Sequence, residues 1–166
     1  QGFKVRILER EDKITNSDVF LIPGVGSFDM AMKVLKKFNL DRKIIDYYNK
    51  DKFIFAICLG MQLLFENSFE FKKTRGLGII KGKVKYFPKN RNLLVPHVGW
   101  NECNIIKPNL LFDGIKNFSD FYFTHSFLVN KNNTDYVITE TDYKIKFASG
   151  VQKKNIYGVQ FHPEKS

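Results

Sequence analysis

Cys58 and the pair His162 and Glu164 are the residues whose types and surroundings could do covalent chemistry. Cys58 follows the apolar run Phe53-Ile54-Phe55-Ala56-Ile57 and precedes Leu59-Gly60-Met61-Gln62. A run so rich in aromatic and β-branched types predicts a strand buried on both faces. Met61-Gln62-Leu63-Leu64-Phe65 suits a helix. A nucleophile at a sharp strand-to-helix corner is the elbow geometry of acyl transfer. The helix N-terminus beneath the sulfur predicts a favoured thiolate, and Gly60 lets the helix start close to neighbouring strands. The alternative is a small buried hydrophobe, as many free cysteines are. Far downstream, Pro163 biases His162 to extended backbone, so His162 and Glu164 project to the same side. A carboxylate beside an imidazole holds its tautomer and stabilises the imidazolium. Taken alone, His162 reads better as a structural histidine; paired with an elbow cysteine far upstream, the preference reverses and it reads as a base.

The elements that must position these groups alternate along the first part of the chain. Lys4-Val5-Arg6-Ile7-Leu8 alternates polar and apolar residues, as a half-buried strand does. Asp18 to Ile22 is a second strand, running into the glycine-rich turn Pro23-Gly24-Val25-Gly26-Ser27-Phe28. Apolar residues from Phe28 to Phe38 fall on a helical stripe, and a further helix is expected from Leu40 to Tyr48. This order predicts a parallel sheet with helices on its faces. After Gly76-Leu77-Gly78-Ile79-Ile80 come short runs with little helical periodicity: Lys83 to Phe87, Phe121 to Val129, Tyr136 to Thr141, Ile145 to Gly150 and Ile156 to Phe161. Antiparallel strands are their simplest reading. No linker, repeat or low-complexity tract appears. The expectation is one three-layer α/β domain over residues 1–166, its mainly parallel sheet gaining an antiparallel portion late.

Composition narrows the function classes. With 43% hydrophobic residues and 17 Phe, the 166-residue chain can supply a sizeable core. Its two cysteines, Cys58 and Cys103, are too few for a disulfide framework, which points to a reducing, cytoplasmic setting. No stretch approaches the roughly 20 apolar residues of a membrane span. The net charge of +10 invites a nucleic-acid reading. The basic residues are spread as pairs and singles among acidic ones, however, with no arginine-rich arm or RNA-binding signature. A lysine-rich solvated surface is therefore expected, with neither nucleic acid nor membrane as partner. His97, His125 and His162 lie too far apart for metal-ligand spacing, and no metal or cofactor is expected.

Three stretches together resemble the class I (triad) glutamine amidotransferases: Pro23-Gly24-Val25-Gly26, Cys58-Leu59-Gly60-Met61-Gln62 and Gly158-Val159-Gln160-Phe161-His162-Pro163-Glu164. Within that family, the match extends to the glutaminase subunits of imidazole glycerol phosphate synthases. It does so through Gly76-Leu77-Gly78 with Gly82-Lys83-Val84, Val95-Pro96-His97-Val98-Gly99-Trp100-Asn101, Tyr122-Phe123-Thr124-His125-Ser126, and Phe161 to Ser166. The resemblance implies a flavodoxin-like fold and hydrolysis of glutamine to glutamate and ammonia. Cys58 would be the nucleophile, His162 the general base and acid, and Glu164 its orienting group. Oxyanion donors would be the Leu59 N–H and one N–H of Gly24-Val25-Gly26, for which a plain tight turn is the alternative. Gln62, Ser126 and Phe127 would contact substrate, with core packing or capping the alternative for Gln62. Cys103, with no elbow, is assigned to structure.

The same resemblance implies a partner, a (β/α)8 cyclase that takes the ammonia through its barrel in histidine biosynthesis. Trp100, Asn101, Tyr122 and Lys165 would form the docking face, since Trp and Tyr favour interface hot spots; core burial is the alternative for Trp100. By the same resemblance the isolated subunit is expected to have low activity, its oxyanion site being completed by the partner. Two departures stand out. Relatives open with a further strand and a Gly-Met-Gly-Asn turn and finish with a helix, so this chain reads as cropped at both ends. Ala56 stands where glycine is common. Competing readings are a glutaminase feeding another acceptor such as a sugar precursor, a non-catalytic interaction subunit on the same scaffold, and, more remotely, an α/β cysteine peptidase.

Overall fold

A computed structural model describes residues 2, 4–8, 19–89, 92–130 and 134–166. The elements begin with β1 (Val19–Ile22), α1 (Phe28–Lys37), α2 (Leu40–Asn49), β2 (Phe53–Ile57) and the short α3 (Leu59–Leu63). Then come β3 (Phe65–Ser68), β4 (Thr74–Arg75), β5 (Ile80–Tyr86), β6 (His97–Ile105), β7 (Ser119–His125) and β8 (Phe127–Val129). The described chain finishes with β9 (Val137–Asp142), β10 (Lys146–Lys153) and β11 (Ile156–Val159). A seven-stranded sheet has the order β1-β2-β11-β10-β9-β6-β7, and a four-stranded sheet the order β4-β3-β5-β8.

The main sheet is parallel across β1, β2 and β11 and antiparallel from β11 outward to β7. The late antiparallel portion thus follows the expectation, as does the α/β class. Period-two alternation in β2 divides the interior in two. Ile54 and Ala56 join Phe28, Met32, Ile44 and Met61 on the helical side. Phe55 and Ile57 pack against the opposite cluster, which includes Phe121, Phe123, Phe147 and Phe161. Helix α1 owes its seat to Phe28 and Met32, one turn apart on the buried face. Both long helices match their expected spans to within a residue.

Several expectations are corrected. Residues 4–8 form no strand, and Val5 and Ile7 are largely exposed; alternation offers a face to bury, but a strand also needs a paired edge, and among the described residues no strand pairs with this run. Asp18, placed in the second strand, lies outside the described residues. Strand β2 is not buried on both faces, because Phe53 is 47% exposed; among the described residues no helix covers that side. The helix after Cys58 lies two residues earlier than expected, since Phe65 leaves it to pair with Ile80. The run from Phe121 to Val129 breaks at Ser126 into strands of different sheets, β7 and β8. The run from Ile156 is not purely antiparallel, because β11 lies parallel to β2, and β5 likewise runs parallel to β3. Among the described residues no helix is long and apolar enough to cross a membrane.

Gly60 is where close packing decides a residue type. A Cβ there would sit 2.0 Å from the carbonyl oxygen of Ile22, in backbone that cannot swing aside. Gly60→Ala is expected to lower unfolding free energy by about 3 kcal/mol, read as an earlier denaturant midpoint. An unchanged midpoint would mean that α3 can back away from β1 at no cost.

Candidate active site

The chain turns from β2 into α3 at Cys58, whose φ of 53° and ψ of −110° put a non-glycine residue in sparsely populated backbone space. Such strain, on the order of 1–3 kcal/mol, persists only where neighbours over-determine it. Here the Cys58 N–H donates to Val159 O at 2.7 Å, and the Cys58 carbonyl accepts from Gln62 N at 3.2 Å. The expected elbow is therefore present, with the sulfur turned toward a cavity.

The expected thiolate is not. Burial pushes the Cys58 thiol up to about 11, against the lowering effect of the Leu59 N–H and the Gln160 amide, while the Glu164 charge pushes the same way as burial. A five-residue helix has too little dipole to overcome desolvation. At neutral pH the sulfur is a thiol that needs a base.

The base stands in the same cavity. His162 has extended backbone before Pro163, as expected, and its N–H donates to Tyr122 O at 2.8 Å. Its Nδ1 lies 2.8 Å from Glu164 Oε1. A carboxylate only accepts, so Nδ1 carries a hydrogen, and in the neutral ring that leaves Nε2 its lone pair. Nε2 is buried without a partner among the described residues. Burial works against the Glu164 carboxylate, but its own backbone N–H, the His162 ring and Lys165 together hold its carboxyl below the ordinary value.

Cys58 and His162 line a cavity of about 330 Å³ together with Val25, Gly26, Leu59, Gln62, Ser126 and Phe127. All but two of the residues read from the sequence as catalytic, oxyanion or substrate groups are thus brought to one place. Glu164 stands behind the imidazole. Gly24 packs the turn against the elbow, where a Cβ would fall 2.9 Å from Gly60 N. Gly26, with φ of +97°, takes the left-handed backbone that glycine tolerates.

Sequence reasoning missed several groups at the site: Pro96, Thr124 and His125 also line the cavity, and two further residues make hydrogen bonds there. Gln160 is fully buried and bridges the site: it accepts from Gln62 Nε2 at 2.9 Å and reaches Cys58 Sγ at 3.5 Å. Alternation with His162 was the available signal. Glu70 lines the cavity and accepts from the first N–H of α1, Phe28 N, at 2.7 Å; no periodic pattern points to it. Cys103 is buried beside Thr141, 3.3 Å away, well apart from the cavity. Trp100 is 58% exposed, with its ring edge-to-face on Tyr122, and Lys165 lies over the Tyr122 ring. Asn101 turns instead to the inner side of β6 and donates to Asp142 O. Among the described residues no group of His, Cys, Asp or Glu is placed to hold a metal ion.

This arrangement of thiol, imidazole and carboxylate can attack an acyl carbon and shuttle one proton. Comparisons with known proteins agree with that chemistry. The family profile for glutamine amidotransferase class-I matches residues 2–166. The chain is 43% identical to the imidazole glycerol phosphate synthase subunit HisH of Caldanaerobacter subterraneus, over 99% of this chain and 80% of that protein. It is 46% identical to the HisH subunit of Pyrococcus furiosus, over 93% of this chain and 77% of that one. In fold it resembles the structure of PurLQS from Thermotoga maritima, with a TM-score of 0.69 at 18% identity, over 93% of this chain and 72% of the other.

With the thiol raised to about 11, alkylation of Cys58 by iodoacetamide in the protein without glutamine should keep rising from about pH 8 to beyond pH 10, because the thiolate fraction grows with pH. A rate already level near neutrality would mean a preformed thiolate and overturn this account of the sulfur.

Proposed function

The chain belongs to the class-I glutamine amidotransferase family, and from that premise we propose that it is the glutaminase subunit of an imidazole glycerol phosphate synthase. The observation that carries this reading is the elbow Cys58 and the Glu164-backed His162 facing one cavity, in a chain 43% identical to a HisH subunit. Glutamine enters with its side-chain amide toward the sulfur. His162 Nε2 takes the thiol proton as Sγ bonds to the amide carbon, so no free thiolate has to be stabilised beforehand. The oxyanion receives the Leu59 N–H at the start of α3 and an N–H from the Gly24-Val25-Gly26 turn, each donor contributing roughly 3 kcal/mol in comparable enzymes. The tetrahedral adduct then breaks its C–N bond, and His162 returns the proton to the departing nitrogen, releasing ammonia. Water, losing a proton to His162, hydrolyses the thioester to glutamate and restores the thiol.

Glu70 supplies what a free amino-acid substrate requires, a carboxylate for its α-ammonium group. Ser126 and Phe127 offer backbone at the same wall. Ammonia passes to a (β/α)8 cyclase docked on Trp100, Tyr122 and Lys165, with Asn101 on the same strand as Trp100. Tyr122 holds the His162 N–H through its own carbonyl, so a partner pressing on that ring bears on the base. The pair works in the cytoplasm as a heterodimer.

In the complete protein with its cyclase, Cys58→Ala should abolish glutamate release, and Glu164→Gln should lower kcat by roughly 10²- to 10⁴-fold. Glutamate release equal to the parent's from Cys58→Ala would remove the catalytic assignment. Rescue of a histidine auxotroph by the parent gene identifies the acceptor pathway; activity without rescue would favour another acceptor.

Glu70→Gln tests substrate binding separately. It should raise the KM for glutamine at least about tenfold while kcat changes little, the signature of lost uniform binding. An unmoved KM would take Glu70 out of the substrate site.

A further inference from the structure

The mechanism uses neither of the other histidines, yet both are buried beside the cavity and face each other, His97 Nδ1 to His125 Nε2 at 3.1 Å. Their neighbours dictate which way the hydrogens run. At one end, His125 Nδ1 lies 2.7 Å from Phe127 O. A carbonyl only accepts, so His125 Nδ1 carries hydrogen. At the other end, the Asn101 side chain is oriented by Glu102 N–H, which donates to Asn101 Oδ1 at 2.8 Å. Its Nδ2 therefore faces His97 Nε2, 3.3 Å away, and must be the donor. Between these ends only one assignment remains: His97 Nδ1–H donates to His125 Nε2, and both rings are neutral.

Packing fixes the rings that transmit this order. His97 is stacked between Tyr143 and Phe123, with centroids 3.9 Å and 4.8 Å away and interplanar angles of 21° and 18°. Phe147 closes on both imidazoles from the side. Burial pushes His97 down to about 4 and His125 down to about 3, in keeping with two uncharged rings.

The output of the relay is the Phe127 carbonyl. It accepts a second hydrogen bond there, from Gln62 Nε2 at 3.3 Å. The other hydrogen of that nitrogen goes to Gln160 Oε1 at 2.9 Å, and Gln160 Nε2 reaches Cys58 Sγ at 3.5 Å. Both amide hydrogens of Gln62 are thus consumed inside the protein, and what its carboxamide has left for a ligand is the acceptor, Oε1.

We propose that His97 and His125 are positioning residues, a one-way hydrogen-bond relay from Asn101 to the Phe127 carbonyl that holds the Gln62 carboxamide with its oxygen available to a substrate N–H donor. His125 lines the cavity wall, but the part assigned to both imidazoles is to fix hydrogen-bond direction, and neither exchanges a proton during turnover. The kinetic part of the test rests on the glutaminase reading, whereas the spectroscopic part does not. Long-range ¹H–¹⁵N spectra of the full-length protein at neutral pH should show both rings neutral with hydrogen on Nδ1. Hydrogen on Nε2 of either ring, or a doubly protonated ring, would overturn the relay whatever the activity. In the complex with cyclase, His125→Asn keeps a donor near the Nδ1 position and should hold the glutamine KM within about threefold of the parent. His125→Phe removes that donor and should raise KM about tenfold or more, with a smaller change in kcat. Equal KM values for two folded variants would overturn the proposal. Should His125→Phe fail to fold, His97→Asn against His97→Phe makes the same donor-present, donor-absent comparison one step back. A parent complex that releases no glutamate would count against the glutaminase reading and leave the tautomer result standing.

Discussion

The parallel pairing of β2 with β11 is the contact on which the site depends. It joins Ile54 to Ile156 and ends at Ile57 opposite Val159, so two segments a hundred residues apart in sequence stop at the same edge of the sheet. In a parallel pair both chains leave at the carboxyl end, where crevices of open α/β sheets form. The nucleophile leaves one strand and the base follows the other. The rung from Cys58 N to Val159 O continues the ladder across the point of departure. An antiparallel β11 in that position would have sent His162 to the opposite end of the sheet from Cys58.

Around that rung the molecule carries groups that cost free energy in isolation. Cys58 has strained backbone and a thiol whose ionisation burial opposes. Gln62, Gln160, His97 and His125 bring polar atoms into the interior. A buried polar atom left unpaired costs about 1–3 kcal/mol, and the amides and imidazoles offset that cost by bonding one another. The base is different: His162 Nε2 is left unpaired beside the cavity, the state a proton acceptor must be in before its reaction. Strain and an open valence sit next to each other, while the surrounding polar groups are satisfied and hold them there.

The two faces of the sheet are unequal. The helical side is closed by α1 and α2 over Ile54 and Ala56. On the other side, Val19, Leu21 and Phe53 remain exposed at the β1–β2 end. Both catalytic strands lie in the parallel part, and the antiparallel strands carry the wall of the cavity opposite the elbow, from Thr124 to Phe127. Tyr122 on β7 ties that wall to the catalytic end through the His162 N–H. A push on the exposed Trp100–Tyr122 patch therefore has a short backbone route to the base.

The amino-acid order alone determined those features that depend on near neighbours. The helical stripes of α1 and α2, the strand before Cys58, the glycine that the elbow demands and the His162–Glu164 alternation all act over a few residues. Local sterics and periodicity set such features before any tertiary contact forms. Only the tertiary structure decided the rest. Residues 4–8 have the alternation of a strand but no paired edge among the described residues, and Phe65 left a good helical pattern because a partner strand was waiting at Ile80. The same holds for the thiol: the helix that favours its charge is local, whereas the burial that outweighs it comes only with the packed tertiary structure. Glu70, Gln160 and the meeting of the two imidazoles across β6 and β7 depend on groups tens of residues away, and a linear pattern carries no record of which distant atoms will take water's place.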